Sequence, residues 1–70
     1  MSITRMKADC EAFLRSHEGE ISDKRFNKIV RHLDHGAKKS DSKMYHANEA
    51  VKICANIAAF RGWDFGYEVA

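Results

Sequence analysis

Residues 43–61, KMYHANEAVKICANIAAFR, are apolar around an unusually wide part of a helical circumference. Met44, Ala47, Ala50, Val51, Cys54, Ile57 and Ala58 recur at steps of three and four, and Ile53 and Phe60 widen the stripe well past a single face. A helix with that much apolar surface has to touch more than one neighbour. The segment is therefore expected to be either the central helix of an all-α fold or a face presented to a second subunit.

Upstream, residues 36–42, GAKKSDS, contain no large apolar side chain and read as an exposed loop ending in an Asp41 or Ser42 cap. The helix before that loop is expected over about 23–35. Ser22 caps its free amides, Asp23 sits at the positive end of its dipole, and Ile21 can staple onto Phe26. Phe26, Ile29, Val30 and Leu33 form its narrow apolar stripe, and His35-Gly36 supplies the stop. A first helix is expected over about 3–17. Ile3, Met6, Cys10, Phe13 and Leu14 face inward, Lys7, Glu11 and Arg15 face out, and Gly19 closes the end.

Downstream of Gly62 the period changes to two. Trp63, Phe65, Tyr67 and Val69 alternate with Asp64, Gly66 and Glu68, which reads as a short extended aromatic tail over 62–70. Trp63 and Phe65 are expected to fold back and seal a thin core, because aromatic rings carry the largest burial energy per residue. The sharper alternative has the tail docking into a second molecule.

These segments make a single helical domain spanning 1–70. Leu, Ile, Val and Phe total only 14 of 70 residues, and a core in so short a chain rarely supplies more than about 3–5 kcal/mol. Support from a partner subunit is therefore expected: a homodimer joined through Ile53, Ile57, Phe60, Trp63, Phe65 and Tyr67. The two cysteines, Cys10 and Cys54, fall on apolar faces of separate helices and read as small buried hydrophobes, not as a disulfide framework. No window is apolar over the roughly 18 residues a membrane span needs. No signal-like stretch opens the chain either, so a cytoplasmic location is expected.

The main functional signal is charge asymmetry. Residues 24–43 carry a net +5, against −3 for the remainder of a chain whose total is +2. At about 100° of rotation per residue, Lys24, Lys28, Arg31 and His35 line up opposite the Phe26/Ile29/Val30/Leu33 stripe. Lys38 and Lys39 continue the positive charge into the loop. Such a row displaces counterions along a phosphate backbone and gives sequence-independent affinity. Arg25, Asn27 and Lys28 are also side-chain types that read base edges. The order helix, short Gly19-containing connection, basic helix is compatible with a helix-turn-helix, although its internal signature is missing.

Residue spacing bears on two other chemistries. His32 and His35 stand one turn apart with His46 across the loop, a weak metal-ligand pattern without any Cys-x-x-Cys, so no metal or other cofactor is expected. No Ser or Cys stands beside a base in a recognisable catalytic context, and no Gly-rich phosphate loop is present, so no enzymatic activity is expected. The leading expectation is a small non-enzymatic regulatory or accessory protein. It would bind nucleic acid through Lys24, Arg25, Asn27, Lys28, Arg31, Lys38 and Lys39. The alternative is a protein-protein adaptor or inhibitor that engages a partner through the same basic face and through the aromatic tail, where the stretch from Arg61 to Tyr67 gathers Arg, Trp and Tyr, the types that dominate interface hot spots.

Overall fold

The computed structural model describes the backbone of residues 2–38 and 43–67 and the side chains of 2–34 and 43–67. It is all-α, with α1 (Ile3–Ser16), α2 (Asp23–Lys38) and α3 (Lys43–Arg61) in chain order. No strand occurs among the described residues, and no helix there is long and apolar enough to cross a membrane.

Each helix boundary has a local cause. Ser2 opens α1 by accepting the Arg5 amide on its hydroxyl at 3.1 Å, a cap that satisfies one of the free first-turn donors. At the other end His17 is the capping residue, and its amide donates to the Phe13 carbonyl at 3.2 Å. Ser22 opens α2, with its hydroxyl 3.4 Å from the Arg25 amide and its carbonyl accepting from Phe26 at 2.9 Å. Ile21 and Phe26 both lie against the core, the arrangement a hydrophobic staple needs.

The end of α2 differs from the sequence expectation. The helix runs through His35-Gly36 to Lys38, not stopping at His35. A glycine adopts helical backbone angles as readily as left-handed ones, and the Ala37 and Lys38 that follow are strong helix formers. The Asp41 or Ser42 cap expected for α3 lies outside the described residues.

Helix α3 is central: α1 and α2 both pack chiefly on it. Its buried positions are mostly small, with Ala47, Ala50, Cys54, Ala55 and Ala58 joined by Val51 and Ile57. Small side chains let two helix backbones approach a third closely. Larger groups arrive from the neighbours: Met6, Phe13 and Leu14 from α1, Ile29 and Leu33 from α2. At the centre Cys10 of α1 and Cys54 of α3 are free thiols with no exposed surface. Interaction with the Cys10 thiol, and then burial, hold the Cys54 thiol protonated well above its ordinary range.

The segment after α3 returns along α1. Gly62 takes φ +72°, and the Trp63 amide donates to the Ala58 carbonyl at 2.8 Å. That bond, from the second residue past the helix to its last full turn, is the Schellman closure. Trp63, Phe65 and Tyr67 then all pack against the core. The period-two pattern is used to set three rings on one helix.

Candidate nucleic-acid interface

Lys24, Arg25, Asn27, Lys28 and Arg31 are all exposed on α2, whereas Ile29 and Leu33 on its opposite side are buried. The three ion pairs found among the described residues are Arg5–Asp9, His17–Glu20 and Lys52–Glu49, and none involves this row. The spacing explains why. Within three or four helical positions Lys24 and Lys28 meet only cations, neutral residues and each other, and Arg31 has only Asp34. From Lys24 to Arg31 the helix rises about 10 Å, about three times the axial spacing of roughly 3.4 Å between successive charges of one strand in a duplex. The side chain of Lys38 and all of Lys39 lie outside the described residues.

Between α1 and α2 runs a cleft of about 380 Å³ floored by Leu14, Phe26, Val30 and Leu33 and edged by three acids, Glu11, Glu18 and Asp34, and one cation, Arg15. The basic row and this acid-edged cleft are therefore separate surfaces of α2.

The histidines expected near one another do meet in part. His32 Nδ1 and His46 Nδ1 are 3.0 Å apart across the α2–α3 contact, one donating and one accepting. Tyr45 packs edge-on to both rings. The side chain of His35 lies outside the described residues, among which no group of three metal-ligating side chains converges.

The residues expected at a partner interface fall into three environments. Ile57 is only 4% exposed and belongs to the chain's own core. Trp63, Phe65 and Tyr67 lie along α1. The indole of Trp63 stacks on His17, Phe65 meets Phe13 edge-on at 4.9 Å, and the Tyr67 hydroxyl donates to Asp9 Oδ2 at 2.7 Å. Burial, and then the bond to the Asp9 carboxylate, push the Tyr67 phenol up to about 12. Arg5 Nε holds the other Asp9 oxygen at 3.4 Å. Ile53 is half-buried and Phe60 points outward, 85% exposed, leaving these two as the more accessible part of the expected interface. Val69 lies outside the described residues.

One cation outside the basic row expected to meet nucleic acid stands beside Phe60. Arg61 donates from Nη1 to the Glu20 carbonyl at 3.3 Å, and its guanidinium lies 4.7 Å from the Trp63 ring centroid. Both partners come from elsewhere in the tertiary structure, so no local spacing marks Arg61 as a positioned charge. Compared with protein-family models, curated proteins and solved structures, the chain matches none.

Proposed function

We propose that this chain is a small non-enzymatic regulatory or accessory protein of the cytoplasm that binds nucleic acid through the basic side of α2 and the loop after it. The observation that carries the reading is the row Lys24, Lys28 and Arg31, exposed along one side of a single helix and engaged in no ion pair among the described residues. Fixed, solvated cations on a rigid element exchange counterions for phosphates with little reorganisation. Arg25 and Asn27, exposed beside them, supply the donor groups that base edges accept or exchange.

The competing reading, an adaptor for an acidic protein, uses the same cations but relies on the aromatic tail as its anchor. The contacts of Trp63, Phe65 and Tyr67 with α1 occupy part of that anchor within the chain itself, which favours the nucleic-acid reading.

A salt titration of binding tests the proposal. Log affinity for a duplex is expected to fall linearly with log salt, with a slope of about −0.9 per phosphate neutralised. Replacing Lys24, Arg25, Lys28 and Arg31 together by Ala is expected to flatten that slope. An unchanged slope in the variant removes the proposal. Salt-dependent binding to an acidic peptide with none to nucleic acid transfers the surface to the adaptor reading.

A further inference from the structure

Of this chain's four phenylalanines, Phe60 stays outside a thin core, with 85% of its surface exposed. It stands near the C-terminal end of α3 on the wall of a cleft of about 290 Å³, shared with Ile21, Ser22, Arg25, Ile57 and Arg61. Two of those residues are arginines. Arg61 is held before any ligand arrives, by the Trp63 ring beneath its guanidinium and by the Glu20 carbonyl. Glu20 is the one acid lining the cleft, and its carboxylate is directed to His17 Nδ1, 3.5 Å away. The cleft therefore combines an open aromatic face, an apolar floor and two cations.

We propose that Phe60 is a base-stacking platform for single-stranded nucleic acid, with Arg25 and Arg61 holding the phosphates on either side of the stacked base. This inference rests on the nucleic-acid reading above and narrows it to single strands. In a duplex each base face is already covered by its neighbours, whereas every base of a single strand offers a π-face to a protein ring, and cations beside the ring track the backbone. Arg25 joins the two regions, because it belongs both to the basic side of α2 and to the cleft. A strand leaving Phe60 can thus continue along Lys24 and Lys28.

Charge argues against a second copy of the chain as the occupant. A two-fold contact sets a surface against itself, so a patch carrying Arg25 and Arg61 would meet another positive patch. A polyanion supplies the complementary charge.

The test is fluorescence anisotropy with the full chain, using labelled oligo(dT) of about 15 nucleotides and a duplex of equal length. The wild type is expected to prefer the single strand. Phe60→Ala is expected to weaken oligo(dT) binding by about 5- to 150-fold, the range for loss of one base-aromatic stack, while keeping the salt slope. Phe60→Trp is expected to retain affinity, and Phe60→Leu, which keeps apolar bulk but has no π-face, is expected to lose it as Ala does. Lys24→Ala with Lys28→Ala is expected to flatten the salt slope instead. The ring lies outside the core, so the melting curves of the Phe60 variants should overlay the wild type, and the Trp and Leu pair remains informative if the Ala variant does not fold.

If Phe60→Ala and wild type bind oligo(dT) equally, or the duplex is preferred, the platform is overturned and the basic-face reading stands. If neither nucleic acid shows salt-dependent binding, both readings fall. A polyglutamate peptide that binds as tightly as oligo(dT) and is weakened equally by Phe60→Ala, or a dimer that Phe60→Ala converts to monomer in sedimentation, assigns the ring to a protein contact and overturns the inference.

Discussion

The rings of His17 and Trp63 lie face to face, with centroids 3.7 Å apart and planes 5° from parallel. One residue caps the end of α1 and the other is the second residue after α3, so this stack ties the two ends of the fold together. Arg61 lies against the same indole. Removing the ring takes away two stacking partners and opens part of the core. Trp63→Ala is expected to cost about 2 kcal/mol, which for a domain of this size lowers the melting temperature by about 8–16 °C. Circular dichroism melts check this, and a melt within about 2 °C of wild type means the stack adds nothing.

Tyr67 fastens the far end of the same segment through its bond to Asp9. Tyr67→Phe keeps the ring and deletes the hydroxyl, with an expected loss of about 1 kcal/mol. The phenol has its folded-state pKa raised, from the ordinary 10.0 to about 12. Its contribution is therefore complete below pH 10 and is lost as the pH rises toward about 12. Denaturant titrations across that alkaline window should show a steeper decline for wild type than for Tyr67→Phe. Parallel declines would show that Tyr67 ionises freely in the folded chain.

Cys10 and Cys54 have no exposed surface, and the thiolate is the reactive form of cysteine. The native chain is therefore expected to resist a disulfide-exchange reagent, and both thiols should react once denaturant is added. Reaction in native buffer at the rate of an unstructured peptide would contradict this packing.

Gly62 has φ +72°, and a Cβ built there meets nothing within 4 Å. The cost of Gly62→Ala is then purely backbone, about 1 kcal/mol. Asn tolerates the left-handed region better than Ala does, so Gly62→Asn should melt between wild type and Gly62→Ala. If Ala and Asn melt alike, side-chain tolerance of this conformation does not set the cost.

Much of the fold was legible because its signals are local. Ser22 before Asp23, the stripe at Phe26, Ile29, Val30 and Leu33, and Gly19 after α1 each act within a few residues, and the observed α1 and α3 agree with the expected spans to within one residue. Gly36 misled for the complementary reason. A glycine permits a helix stop without requiring one, and the helix continued through it. The exposed cations of α2 were equally readable, since a charged row opposite an apolar stripe has only one side on which to lie.

The sequence by itself determined three helices, the breadth of α3 that makes it central, and the concentration of positive charge on α2, because periodicity and charge are properties of each segment alone. Tertiary structure decided which apolar residues were left over. Ile57 and Phe60 belong to one apolar arc in the sequence, yet Ile57 is buried in the core and Phe60 projects beside Arg25 and Arg61. Likewise no spacing joins His17 to Trp63, Asp9 to Tyr67 or Glu20 to Arg61. Those contacts form only when the chain after α3 turns back on α1, and that return depends on the packing of three helices at once.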